Sequence, residues 1–299
     1  MDLRKITKNY ELYIFLLPAV ILTLCFAYIP IYGVQIAFKN YTPAKGIWAS
    51  PWVGLEQFYR FFRSYQFKIV ITNTLYLSVY GILVGFPLPI ILALMMNSMT
   101  NTPRFKQVLQ TITYMPYFIS TVVLVSMVTL FLSPNGLFGQ LSQFFGGTAK
   151  NFLADPPVFA HAYIWSGVWQ GMGWGSIIYM AALSSIDPSL YEAATVDGAS
   201  KFQKIVHIDL PCIAPTCIIL LILSAGGILN VGFEKAFLMQ NNLNLSRSEV
   251  INTYIYKVGI QSTQYSFSAA VGLFNNIINF VILTAVNWIS RKFSETSLW

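Results

Sequence analysis

Side chains able to do chemistry are sparse in the apolar parts of this sequence, and most are neutral. They are Asn73 and Thr74, Tyr114 and Tyr117, Trp165, Trp169, Gln170 and Trp174, Asn230, and Asn275, Asn276 and Asn279. Aromatic faces beside amide donors and acceptors suit a sugar, whose C–H faces stack on rings while its hydroxyls take hydrogen bonds. Asn73, Tyr114, Tyr117, Trp169, Asn230, Asn276 and Asn279 are the expected lining of a pathway for such a solute. The same residue types also suit plain hydrogen bonding between helices and an aromatic belt at a membrane interface. Asn276 and Asn279 are expected on one face turned toward a partner, because asparagines are costly beside lipid.

Catalytic constellations are missing, and no catalytic or metal-binding residue is expected. The sequence has no G-x-x-x-x-G-K-[ST] loop to cradle a nucleotide phosphate, no H-E-x-x-H and no C-x-x-C. The chain is therefore not expected to hydrolyse ATP itself. His161 and His207 are the only histidines, and each reads as structural or interfacial. Cys25, Cys212 and Cys217 lie in or beside apolar runs without disulfide or metal spacing, and read as inert core thiols. Ionisable residues are nearly absent from the apolar runs, which weighs against the proton relay of an ion-coupled sugar carrier. An intramembrane enzyme would need a nucleophile or metal cluster that the runs do not supply.

The elements that must position these residues are membrane helices. The 299-residue chain is 56% hydrophobic and 10% charged, with mean hydropathy +0.60, whereas ordinary globular domains carry about 25% charged residues. A span needs about 20 apolar residues. Six blocks qualify, near 12–36, 70–97, 108–133, 159–184, 212–233 and 266–289, so the expected fold is an all-α polytopic membrane protein with six transmembrane helices. Pro18, Pro30, Pro87 and Pro89 should kink their helices. Gly167, Gly171 and Gly175 make a smooth stripe that would let a second helix approach. The net charge of +7 would point to nucleic acid in a soluble chain. Here the basic residues sit between apolar blocks, where they orient spans and meet anionic lipid, so no nucleic-acid partner is expected.

Six spans put both termini on one side, together with the loops near 98–107 and 185–211. Arg4, Lys5 and Lys8 precede the first block, but no small-residue cleavage site follows it, so it is expected to remain as a first membrane helix. The segments on the opposite side, near 37–69, 134–158 and 234–265, carry Trp48, Trp52, Tyr59, Phe61, Phe62, Phe144, Phe145 and Tyr254 among polar residues. Such segments can fold against a partner outside the membrane.

The most polar run between the apolar blocks of the second half is Tyr191 to Pro215, YEAATVDGASKFQKIVHIDLPCIAP. Asp187 before Pro188 is an N-cap signal, and Ser189 with Glu192 is an alternative capping box. The helix should break near Asp197-Gly198, where glycine tolerates a left-handed backbone. Ser200 with Gln203 restarts it, Phe202, Ile205 and Val206 give the new turn an apolar side, and Leu210-Pro211 closes the unit. By itself this is an amphipathic elbow, whose plainer role is to lie on lipid headgroups.

The order Glu192-Ala193-Ala194, Gly198-Ala199, Phe202, Ile208 and Leu210-Pro211 resembles the EAA loop of permease subunits of ATP-binding-cassette importers. The opening LLPAVILTLCFAYIPIYGVQIAFKNYTPAKGIWASPWVGLEQFYRFF and the closing QYSFSAAVGLFNNIINFVILTAVNWISRKFSETSLW resemble the carbohydrate branch of that family, with its aldouronate, rhamnogalacturonan and alginate permeases. The resemblance implies a type I importer permease fold in the bacterial cytoplasmic membrane, with both termini cytoplasmic. It also implies a heterodimer with a second permease, two ATPase subunits, an extracellular solute-binding lipoprotein and a carbohydrate substrate. No cofactor is expected on this chain, and ATP with Mg would sit on the partner ATPase. Glu192, Ala193, Ala194, Asp197, Gly198, Ala199, Phe202, Leu210 and Pro211 would form the ATPase-coupling element. Asp209, just before the Leu-Pro pair, is not required by the motif and is given no role. The domain division that follows is 1–69 for the first helix and outer segment, 70–290 for the permease core with its loop near 187–211, and 291–299 for a cytoplasmic tail.

Overall fold

Helices account for almost all regular structure, and among the described residues the strand pairing is confined to one isolated bridge between Lys39 and Trp52. The computed structural model describes residues 10–99, 103–293 and 297–298. Arg4, Lys5 and Lys8 lie outside the described residues.

The chain separates into two units, one of residues up to Ser64 with Ile255–Phe274, the other of Tyr65–Tyr254 with the chain from Asn275 on. The first unit begins with α1 (Tyr10–Thr23), continued by a π turn at Leu24–Tyr28 and a tighter 3-10 stretch at Ile29–Phe38. Pro30 sits at the start of that tighter stretch, where its missing donor costs least. The unit's small core forms on α2 (Glu56–Arg63). Phe61 is fully buried and meets Phe267 and Phe274 edge-on, while Arg60 donates to Gln264 at 2.7 Å and lies 4.7 Å over the Phe267 ring.

The second unit holds α3 (Tyr65–Gly85), α4 (Pro87–Asn97), α5 (Pro103–Tyr114), α6 (Thr121–Phe131) and the 29-residue α7 (Pro156–Ser184). After these come α8 (Pro188–Val196), α9 (Lys201–Lys204), α10 (Leu210–Gly226) and α11 (Phe233–Met239), and α12 (Ile251–Tyr256) begins in this unit. The last helix, α13 (Tyr265–Phe293), runs through both units. Pro87 occupies the first turn of α4, so the proline-rich second block is one helical rod with a restart at Phe86.

Four described helices are long and apolar enough to cross a membrane: Tyr10–Phe38, Tyr65–Asn97, Lys201–Gly226 and Tyr265–Lys292. The third block, expected as one span over 108–133, is instead broken, and its halves Pro103–Phe118 and Thr121–Phe131 meet at 96°. Pro116 cannot donate, and Ser120 caps a new helix by accepting the Val123 N–H. Gln170 of α7 donates to the Ile119 carbonyl at 2.7 Å, which satisfies a group freed at the break. α7 has the length but falls outside the apolar set, because Trp165, Trp169, Gln170, Trp174 and its glycines dilute its apolar content.

Two buried clusters hold the second unit. One gathers Leu77, Val125, Leu153, Phe159, Val231, Met239 and Val250. The other joins Ala93, Leu94 and Met96 of α4 to Tyr179, Met180 and Leu183 of α7 and Ile213 of α10, with Ile205 packed on its rim. The tightest helix approach is at Gly173, where an added Cβ would stand 1.9 Å from the Thr113 carbonyl oxygen. That is two residues away from the expected glycine stripe. Of the stripe, Gly175 packs on Pro89 at 3.4 Å from an added Cβ and Gly167 on the Lys235 side chain, while Gly171 faces open space. The cysteines also differ from expectation, since Cys25 and Cys212 are exposed and Cys217 is half-buried.

Candidate functional site

The elbow between α7 and α10 is built as its capping residues dictate. Asp187 accepts the Ser189 N–H at 2.9 Å, with Pro188 in the first turn of α8, so the cap falls to Asp187 and not to Ser189 with Glu192. That backbone hydrogen bond holds the Asp187 carboxyl below its ordinary range. At Gly198 the backbone is left-handed, with φ +73°. Ser200 and Gln203 then form a reciprocal capping box, at 2.7 and 3.3 Å, that starts α9.

Beyond α9 the expectation of a closed unit at Leu210-Pro211 fails. The helix passes through a π turn at Ile205–Asp209 and continues into α10, making one helix from Lys201 to Gly226. The widened turn relieves both the missing donor and the ring clash of Pro211. The elbow is thereby the leading end of a helix long and apolar enough to cross a membrane. The expected apolar side also splits: Ile205 packs inward on the second cluster, while Phe202 turns out.

What fastens the elbow is a buried polar contact that includes the residue given no role by the sequence. Asp209 is buried and accepts a hydrogen bond from the Tyr191 hydroxyl, which in turn lies 3.5 Å from the Asn97 amide of α4. Burial, then the Asp209 contact, push the Tyr191 hydroxyl up to about 12. Lys204 adds a 2.7 Å hydrogen bond to Thr195 across the glycine turn. An isolated acid directly before a long apolar run is the signal that could have flagged Asp209. Tyr191→Phe should leave the Asp209 carboxyl without this donor, at a cost of roughly 1–3 kcal/mol to the elbow. Protease protection of the 187–211 segment checks it, and unchanged protection would mean the contact carries no weight.

The outer face of the elbow is left uncovered. Val196 is 88% and Phe202 73% exposed, flanking Gly198, and Glu192, Ala193 and Asp197 are exposed with them. Ala194 and Ala199 are half-buried, and Leu210 and Pro211 are exposed at the start of the rod. Two large apolar side chains thus stand uncovered by the rest of the chain on either side of the glycine turn. Behind them a cavity of about 450 Å³ opens between Asn97, Tyr191, Glu192, Lys201, Lys204 and Asp209.

The expected pathway residues do not converge. Asn73 is buried, and its amide donates to the Ser246 and Glu249 carbonyls at 3.1 Å, fixing the segment after α11. Asn244, also buried, does the same for the Leu153 and Met239 carbonyls. Tyr114 is half-buried, whereas Tyr117 is exposed and stacks on Trp174 with ring centroids 4.6 Å apart. Asn230 accepts from Asn275 and Asn279 at 3.1 and 3.2 Å, and Asn279 also accepts the Leu229 N–H at 3.0 Å. The pair sharing a face is therefore Asn275 with Asn279, four residues apart and both buried, while Asn276 is exposed on a different face. A spacing of four lies closer on the helix surface than one of three, and an internal partner then removes the cost of lipid contact. Trp169 is exposed beside Trp165, whose ring N–H donates to Tyr80 at 2.9 Å, and Tyr80 meets His161 at 2.8 Å.

Residues 85–295 match the family described as binding-protein-dependent transport system inner membrane component. Protein LplB of Bacillus subtilis (strain 168) is 39% identical over 293 residues, 98% of this chain and 92% of its own. The polygalacturonan/rhamnogalacturonan transport system permease protein YteP of the same organism is 39% identical over 296 residues, 99% of this chain and 92% of its own. A chain in the crystal structure of a bacterial alginate transporter, in complex with its alginate pentasaccharide-bound periplasmic protein, superposes with TM-score 0.90. It is 40% identical, and 99% of each chain is covered.

Proposed function

The chain belongs to the inner-membrane components of binding-protein-dependent transport systems, and we propose that it is one permease half of an ATP-driven importer of oligosaccharides or polysaccharide fragments. It is a multi-pass membrane subunit of a transporter and not an enzyme. In this reading the solute arrives on an extracellular binding lipoprotein, a second permease completes the pathway, and two ATPase subunits that carry ATP and Mg bind from the cytoplasm. The relatives named for polygalacturonan, rhamnogalacturonan and alginate support the carbohydrate class.

The observation that carries the reading is the elbow. A left-handed glycine turn holds Val196 and Phe202 uncovered by the rest of the chain, at the end of a helix long and apolar enough to cross a membrane. An elbow lying on lipid would bury those two side chains, but it would have no need of the buried Tyr191–Asp209 contact that stiffens it from behind. Counting α7 and the bent pair as spans gives six, with both termini and the elbow cytoplasmic and residues 70–290 as the core. The uncovered polar and aromatic residues Asn230, Asn276, Tyr117 and Trp169 remain the proposed pathway lining, whereas Asn73 and Asn279 serve to fasten it.

Uptake into proteoliposomes tests the whole assignment. With binding protein outside and ATP inside, oligosaccharide uptake is expected to cease when the separate ATPase is left out. Uptake that continues without the ATPase and follows an ion gradient would make the chain a secondary carrier.

A further inference from the structure

Lys235 is a half-buried cation for which no ion pair is found among the described residues. Lys235, on α11, reaches under α7, where its Nζ donates to the Tyr163 carbonyl at 2.6 Å and lies 4.8 Å over the Tyr163 ring. The first glycine of the α7 stripe makes the space, since a Cβ on Gly167 would stand 2.9 Å from that Nζ. No carboxylate among the described residues pairs with Lys235. The ion pair seen among the described residues is Lys150 with Asp155, and the neighbouring Glu234 is exposed. Burying a cation without a counter-ion is costly.

The cation opens on a cavity of about 460 Å³. Gly81, Gly85, Gly171 and Gly175 line it together with the apolar Pro89, Ile164, Val168 and Met172, and Gln170 is a second polar group beside Lys235. The Gln170 amide nitrogen is taken by the Ile119 carbonyl, and its carbonyl oxygen has no partner among the described residues. The volume lies within the range of small-ligand sites, where a few placed polar groups set the choice of ligand. Burial moves the Lys235 ammonium down to about 8, so it still carries its proton at neutral pH. A neutral sugar gives an ammonium of this kind little to neutralise. A carboxylate on the sugar ring supplies the missing counter-ion and a charge-assisted hydrogen bond at once.

We propose that Lys235 and the cavity beside it form a subsite for the carboxylate of a uronic-acid unit, which selects acidic over neutral oligosaccharides. The glycines admit the ring, Lys235 takes the carboxylate, and the free Gln170 oxygen accepts from a hydroxyl. The inference rests on the importer reading above, and it adds a residue of this chain to a choice of sugar that would otherwise lie with the binding protein. Two relatives are named for alginate and for polygalacturonan/rhamnogalacturonan, polymers that contain uronic-acid units.

The test compares an oligogalacturonate with its methyl-esterified, uncharged counterpart, with the complete transporter in proteoliposomes and the binding protein in saturating excess. Lys235→Gln is expected to lower kcat/KM for the acid form at least about tenfold, the loss of one charge-assisted hydrogen bond, and to leave the ester within about twofold. Lys235→Arg, which keeps the charge, should restore most of the acid uptake. Equal losses for acid and ester, or no loss for either, would overturn the subsite while the importer reading stands. A wild-type complex that takes the ester but not the acid would do the same. Absence of ATP-dependent uptake of any oligosaccharide would overturn both.

Discussion

Phe202→Asp is expected to strip the ATPase from the detergent-extracted complex while the permease still inserts and folds. The side chain is 73% exposed and makes no contribution to either buried cluster, so its loss costs the chain itself almost nothing. Burying a phenylalanine against a partner is worth about 2–3 kcal/mol, and a carboxylate in its place must be desolvated as well. Together they weaken attachment by at least about 30-fold. Val196→Asp, at 88% exposure on the other side of the glycine turn, should act in the same direction with a smaller loss. The measurement is co-purification of the ATPase with the permease, alongside insertion scored by recovery of both permease subunits. A Phe202→Asp complex that keeps its ATPase at the wild-type ratio would remove this face of the elbow from the coupling surface.

Gly198→Val is expected to lower substrate-stimulated ATP turnover about tenfold or more, again without loss of insertion. Gly198 has φ +73°, and an ideal Cβ there would meet nothing within 4 Å. Within the chain the cost is therefore conformational, about 1–2 kcal/mol for an L residue in the left-handed region. A β-branched side chain lies at the upper end of that range. The open space around the added Cβ is where a docked ATPase would sit, so a steric term comes on top. Asparagine tolerates the left-handed region, and Gly198→Asn separates the two contributions: whatever turnover it loses belongs to close contact, and the remainder of the valine effect belongs to the turn. Valine at wild-type turnover would mean that the elbow is not the transmission element.

How the elbow works depends on residues that the motif does not mention. Glu192-Ala193-Ala194 and Gly198 are recognisable in the sequence because their types and spacing are local: a cap, a helix of small residues, a turn only glycine makes easily, and a second cap. Asp209 could not be read the same way. Its meaning comes from Tyr191, one helix earlier, and Asn97, on a different part of the chain, and only the folded arrangement brings the three together. Lys235 is a similar case. Its neighbours Tyr163 and Gly167 lie far back in the chain, and the glycine stripe that invited a helix-packing reading turned out to accommodate an ammonium at one end and open space in the middle.

The sequence by itself determined the membrane class, the helical content and the Ser200–Gln203 cap of the elbow, because each follows from composition or from the reach of one capping side chain. Helix ends and the break at Met115–Ser120 were partly legible, since Pro116 and Ser120 are local signals, but apolarity over 108–133 outweighed them. Only the tertiary structure decided which asparagines face inward. Asn275, Asn276 and Asn279 are chemically identical, and a helix turned through 100° per residue gives each a different neighbour. Asn230 stands opposite two of them and not the third. The tertiary structure also decided that α9 runs on through Pro211, because a π turn supplies the room that a proline in a regular helix lacks. Side-chain identity fixes what a residue is able to bond; which partner it meets is set by chain segments tens of residues away.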